Sequence, residues 1–270
     1  MNRPSPASAT PGTGRPLAGR TAVVTGSGRN IGRAIALALA RDGANLVING
    51  HSNQEALENV AQEARGFGVE AMVALADVGD HAAVAAMVND AERRFGSVDI
   101  AVSNVSLRLH QPFLDISIDD WQRILDTNLS SAFYLARACL PHMTSRRWGR
   151  IIHISGRDGF SPKPNRAHNV TAKAGVFALA KAIACEFGPL GITANAVAPG
   201  IVDTTRDLTH YPDIANDAAE HSFAARKAAM PLRRFGHVDD IAAACSYLCS
   251  DAGGFMTGQI MHVNGGEFMF

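Results

Sequence analysis

In the stretch HNVTAKAG, residues 168–175, Asn169 and Lys173 stand four positions apart. On a helix that spacing puts both side chains on one face, so an amide and an amine would reach into one space. An amide does not release a proton as a phenol or a carboxyl does, so proton transfer beside Lys173 needs another group.

A second constellation lies near the start of the chain. The run VVTGSGRNIGRAIALAL places Gly26, Gly28 and Gly32 between a β-branched segment and an Ala-rich helical pattern. Gly26 and Gly28 let the backbone turn tightly and approach a pyrophosphate held by amides at the positive end of the helix, and Gly32 lets that helix pack closely on a sheet. This is the chemistry of a dinucleotide site. Further on, LVINGHSN offers no acid for a ribose 2′-hydroxyl, whereas Arg29, His51, Ser52 and Asn53 supply positive charge and donors. That balance favours NADP(H) over NAD(H) as cofactor. The alternative for Arg29 is a solvated turn residue.

The elements that must position these groups read as β-branched runs alternating with Ala-rich helical stretches. Strands are predicted at 21–25, 45–49, 70–75, 99–103, 150–155, 193–198 and 259–263, and helices at 30–42, 54–65, 80–95, 118–146, 169–187 and 238–250. Strands lacking strict polar alternation, each followed by a helix, predict an α/β fold: one domain with a doubly wound parallel sheet of about seven strands and helices on both faces. Two loops, 156–168 and 203–229, interrupt the rhythm after the fifth and sixth strands. Ligands bind beyond the carboxyl ends of such strands, so both loops are placed to shape a substrate pocket. Arg108 and His110, after the fourth strand, are candidates for an anionic substrate or ordinary exposed loop residues.

Composition narrows the partners. The 25 basic and 25 acidic residues cancel, which removes the electrostatic footprint of a nucleic-acid binder. No apolar stretch reaches about 18 residues, so no membrane span is expected. Residues 1–17, rich in Pro and Arg, read as a disordered leader rather than a signal or transit peptide, with the domain running from 18 to 270. Cys139, Cys185, Cys245 and Cys249 fall in helical stretches without metal-ligand spacing, so buried reduced thiols, no metal and a cytoplasmic setting are expected.

With those residues in hand, residues 18–266 resemble the short-chain dehydrogenase/reductase family. TGSGRNIG is similar to its TGxxxGxG motif, with Asn30 at the middle glycine, Ile31 following and Gly32 kept. ADV resembles its adenine-contacting Asp77-Val78 pair, SNVS keeps Asn104 of its NNAG, TNLSSAF supplies the helix asparagine Asn128, and VAPGIVDT resembles the strand end where Pro199, Gly200, Ile201 and Thr204 border the nicotinamide. The resemblance implies a Rossmann fold, Lys173 and Asn104 holding the cofactor, a small-molecule substrate and a homotetramer built on helices 118–146 and 169–187.

The family's catalytic pattern is a Ser thirteen positions before the Tyr of Tyr-x-x-x-Lys. Counting back from Lys173 gives Asn169 and Gly156 instead. Ser155 is expected to point elsewhere by strand alternation, and His168 to face away from Lys173 if already helical. The C-terminal half also resembles the 2,4-dienoyl-CoA reductase branch, which lacks that Tyr and binds its substrate carbonyl through the helix asparagine and a tyrosine eleven residues before the lost Tyr position. Here that residue is Asp158. Roofed by Phe160, its carboxyl is a candidate general acid; paired with Arg157, it is an ion-paired loop residue. The candidate catalytic set is therefore Lys173, Asn128, Asp158 and Asn169. Two functions follow: a hydride-transferring reductase with a rebuilt site, acting on a small carbonyl or conjugated acceptor, or a lyase, isomerase, dehalogenase or nucleotide-sensing binding protein on the same scaffold.

Overall fold

The computed structural model describes residues 14–205 and 224–269; the first thirteen residues of the expected leader and positions 206–223 of the second expected loop lie outside them. The strands are β1 (Thr21–Val24), β2 (Asn45–Gly50), β3 (Ala71–Leu75), β4 (Ile100–Ser103), β5 (Gly149–Ile154), β6 (Ile192–Pro199) and β7 (Ile260–Val263). All pair in parallel in the order β3-β2-β1-β4-β5-β6-β7. The order reverses between β1 and β4, and a crevice opens there at the carboxyl ends of the strands.

The sheet is flanked by α1 (Asn30–Arg41), α2 (Gln54–Arg65), α3 (His81–Phe95), α4 (Ile118–Leu125), α5 (Ser131–Arg146), α6 (Ala167–Phe187) and α7 (Val238–Cys249). Alternation along the strands divides their side chains between two cores. Ala22, Val24, Leu46, Ile48 and Val102 pack with α1, α2 and α7. Val23, Val47, Ala101 and Ile151 pack with α3, α5 and α6 on the opposite face. Complete burial of Ile35 and Leu39 on α1 contributes about 2 kcal/mol apiece and fixes that helix against the sheet. Asn53, Asp80 and Ser117 cap α2, α3 and α4 by accepting from backbone amides.

Four expectations are corrected. The helix expected over 118–146 is broken by one π-helical turn, Asp126–Ser130. The extra residue there turns Asn128 inward, where its amide binds Leu107 N and Leu107 O at 2.7 Å each. Helix α6 starts at Ala167 rather than at 169, so His168 is helical. Leu17, placed in the leader, is fully buried in the first core, and its amide donates to Asp42 O. Cys139, Cys245 and Cys249 are buried as expected, but Cys185 is exposed.

Candidate active site

A cavity of about 460 Å³ runs along the carboxyl ends of β1, β4, β5 and β6. One end is the glycine turn after β1. Gly26 takes the left-handed conformation at φ 62°, and an added Cβ would meet Val105 Cγ2 at 2.9 Å. At Gly32 a Cβ would lie 2.2 Å from Gly26 O and 2.6 Å from Asn104 Nδ2. The turn is braced from behind: Asn104 Nδ2 donates to Thr25 O at 3.0 Å and Gly26 O at 3.2 Å, and Gly26 N donates to Asn49 Oδ1 at 3.3 Å. A bare backbone cradle opening at the start of α1 fits a dinucleotide pyrophosphate.

Gly26, Arg29, Asn30, Ile31, Gly32, Asn104, Lys173, Pro199, Gly200, Ile201 and Thr204 all line the cavity. Gly28, His51, Ser52, Asn53, Asp77 and Val78 are not among its lining residues; they follow β1, β2 and β3, on the side of the turn away from Lys173. Asn53 spends its side chain on Ala56 N, Val78 is buried, and the exposed His51 and Asp77 face each other at 3.9 Å.

At the opposite end, Lys173 and Asn169 share the inner face of α6 and both are buried. Lys173 Nζ donates to Ile154 O at 3.1 Å. Burial, reinforced by the Arg108 guanidinium and opposed by Asp158, pushes its amine down from 10.5 to about 7. Asn169 Nδ2 donates to Asp158 Oδ2 at 2.7 Å, and Asn169 Oδ1 accepts from Asn128 Nδ2 at 3.2 Å. Arg166 grips the same carboxylate, at 3.3 Å to Oδ1 and 3.4 Å to Oδ2. The chain Arg166–Asp158–Asn169–Asn128 thus runs from the cavity wall to the π turn.

The partner expected for Asp158 is corrected by this geometry: Arg157 turns away to Glu267, at 2.9 Å, and Arg166 takes its place. Phe160 stacks on Phe177 and packs edge-on against His262 and Phe268. Asn128 is not among the cavity-lining residues, because its amide is spent on Leu107 and Asn169. His168 lies outside the cavity as well; its Nδ1 accepts from Asn169 N at 2.8 Å, its Nε2 faces Gln111 Oε1 at 3.3 Å, and burial lowers its pKa. Ser155 donates to Lys173 O at 3.0 Å, while at Gly156 an added Cβ would meet nothing within 4 Å.

The chain has relatives among known proteins. A family model described as enoyl-(acyl carrier protein) reductase matches residues 26–267. The 3-oxoacyl-(acyl-carrier-protein) reductase FabG of Staphylococcus aureus strain Mu50 is 37% identical over 250 residues, covering 93% of this chain and 98% of that protein. The chain belongs to the short-chain dehydrogenase/reductase family. The FabG of Pseudomonas aeruginosa is 35% identical over 253 residues, covering 94% and 99% of the two chains. Among solved structures, NAD+-bound xylitol dehydrogenase superposes with a TM-score of 0.85 at 30% identity, covering 93% of this chain and 99% of that one.

Within this short-chain dehydrogenase/reductase framework, several cavity residues escaped the sequence reading. Ser106, Lys163, Arg166, Arg226 and Glu267 line the cavity, and Asn49 supports the glycine turn from the sheet. A usable signal was present for three of them: Lys163 and Arg166 belong to the first loop placed over the pocket and Arg226 to the second. Glu267 reaches the cavity from a segment whose sequence carries no such mark. Among the described residues no cluster of His, Cys, Asp and Glu is arranged to hold a metal ion, and no helix is long and apolar enough to cross a membrane.

Proposed function

We propose that this short-chain dehydrogenase/reductase is an NADP(H)-preferring oxidoreductase whose substrate is a small carbonyl or conjugated acceptor, worked on by a rebuilt catalytic end. The observation that carries the proposal is the single cavity joining the glycine turn to the Lys173–Asn169–Asp158 group. The Gly26–Gly32 turn and Asn104 would hold the pyrophosphate side, Arg29 would meet the 2′-phosphate, and Pro199, Gly200, Ile201 and Thr204 would border the nicotinamide, which supplies the hydride when bound.

The family's Ser and Tyr are replaced here by Gly156 and Asn169, so their work is redistributed. Asn169, with one amide hydrogen on Asp158, has its second hydrogen left to polarise an acceptor oxygen. Asp158 accepts from both Arg166 and Asn169, an arrangement that suits a carboxylate holding its neighbours in place rather than one delivering a proton. Lys173, with a pKa of about 7, is matched to proton exchange near neutrality. Asn128 sets the orientation of Asn169 from outside the cavity. Exposed Phe113, Leu114, Ile118 and Phe133 around α4 and α5 support the homotetramer, which light scattering at micromolar concentration would report.

Fluorescence titration tests the cofactor claim. NADPH should bind at least ~10-fold more tightly than NADH, about 1.4 kcal/mol. Equal affinities refute the preference, and no binding at millimolar concentration refutes the oxidoreductase reading. A second reading, a lyase, isomerase or dehalogenase on the same scaffold, is favoured by the engagement of Ser155 with Lys173 O, which leaves no serine hydroxyl in the family's place. Turnover without any change in cofactor absorbance would select it.

A further inference from the structure

The substrate end of the cavity carries a surplus of positive charge. Arg108 enters after β4, Arg157, Lys163 and Arg166 from the loop after β5, and Arg226 from beyond β6, against the two carboxylates of Asp158 and Glu267. Pairing leaves part of this set uncompensated. Arg166 is matched to Asp158, while Arg157 at 2.9 Å and Arg226 at 3.6 Å share Glu267. Neither Arg108 nor Lys163 forms an ion pair with a carboxylate among the described residues, and Arg108 Nε is buried without a hydrogen-bond partner.

Cations are not assembled around a cavity without cost, since like charges repel and burial removes their hydration. Burial first, then Arg157, Arg226 and Arg166, push the Lys163 amine below its ordinary value, with Asp158 pulling the other way. The cofactor does not relieve this charge. Its phosphates belong at the glycine turn, and its nicotinamide is neutral when reduced and positive when oxidised. Among the described residues nothing else offsets it, which leaves the negative charge to the substrate.

We infer that the substrate is an oxoanion, a small acceptor carrying a carboxylate or phosphate group that Arg108 and Lys163 bind at the mouth between the β4 and β5 loops. This rests on the oxidoreductase reading only for the identity of the cavity's other occupant. Bound there, the anion is held by groups that also favour negative charge developing on the acceptor oxygen as hydride arrives. Arg157 and Arg226, tied to Glu267, form the outer wall of the same field.

Calorimetry on the full chain, with and without saturating NADP+, tests this with four probes: succinate, its neutral counterpart succinamide, methyl phosphate and methanol. Succinate or methyl phosphate should bind at least ~10-fold more tightly than its neutral counterpart, with affinity falling as salt rises. Whichever of the two binds identifies the anion. Arg108→Met and Lys163→Met should each weaken that probe by roughly 5- to 10-fold, about 1.0 to 1.4 kcal/mol, with NADPH affinity unchanged within twofold. Thermal melts of the variants separate lost binding from lost folding.

Equal binding of charged and neutral probes, or binding of neither anion, overturns the inference. So does competition between the anion and NADP+, which would put the anion in the phosphate cradle. If NADP(H) fails to bind while the anion still does so through Arg108 and Lys163, the inference stands and the redox reading falls.

Discussion

At the glycine turn the cavity wall is backbone: Gly26 and Gly32 leave no room for a Cβ, and Asn49, Thr25 and Asn104 hold the turn from behind. Across the switch point, at the ends of β5 and β6, the wall is guanidinium, amine and amide side chains tied to one another. A backbone cradle recognises what every dinucleotide shares, so its residues are set by geometry and match the family. A side-chain wall recognises what one substrate has, and here Gly156 and Asn169 stand on it. Variants that break one end while sparing the other test whether the two are as separate as they look.

The largest effect is expected at the cradle. Gly32→Ala drives a methyl into Gly26 O at 2.2 Å and Asn104 Nδ2 at 2.6 Å, so turn and helix must part. Overpacking of this kind costs about 1–3 kcal/mol in stability. NADPH affinity should fall by ~100-fold or more, as the amides that meet the pyrophosphate move with the turn. Binding within threefold of the parent, measured by fluorescence titration, would show that the cradle is not where the cofactor sits.

Next in size is a pH effect at the side-chain end. Lys173 falls from 10.5 to about 7 on folding. Between those values the unfolded chain holds the proton and the folded chain does not, so stability is lost as pH drops through the window, by up to about 1.4 kcal/mol per unit. Below about 7 both states are protonated and the loss is constant. Lys173→Met removes the titration while leaving Ile154 O without its donor, a fixed cost of about 1 kcal/mol. Relative to the parent, the variant should therefore gain roughly 2–4 kcal/mol on going from pH 10.5 to pH 7, read from urea midpoints. Parallel stability curves would refute the buried, largely neutral amine.

The two ends also differed in how much the sequence disclosed. The cradle was legible because its requirements are local: glycines at fixed offsets between a strand and a helix can be counted. The seven parallel strands follow from the alternation of strand and helix patterns. The substrate end depends on contacts across long chain separations. Arg166 meets Asp158 over eight residues, but Arg157 meets Glu267 over 110, and no periodicity announces that. Asp158 was visible as a candidate, yet the identity of its partner turned on which of two nearby arginines the loop points inward. The π turn at Asp126–Ser130 left no mark in the helical pattern, because it is enforced from Leu107, outside the helix.

The smallest expected effect lies where the two ends touch. Asn30 sits at φ 51°, the left-handed region, at the first position of α1. Asn tolerates that conformation better than other side chains, and glycine tolerates it without strain. What Asn30 adds is its amide: Oδ1 accepts from Thr205 N at 3.1 Å and Nδ2 donates to Thr205 O at 2.8 Å. Two bonds thus fasten the loop after β6 to the glycine turn across 175 residues of sequence. Both are exposed, so each contributes at most about 1 kcal/mol, and release of backbone strain offsets part of their loss. Asn30→Gly should leave the melting midpoint nearly unchanged while freeing the loop that carries Ile201 and Thr204 along the cavity. The dissociation rate of NADPH, followed by stopped-flow displacement, should rise about threefold, close to 0.7 kcal/mol, with the association rate little altered. An unchanged dissociation rate would mean that the loop closes the cavity without help from the turn, and that the two ends are coupled only through the sheet beneath them.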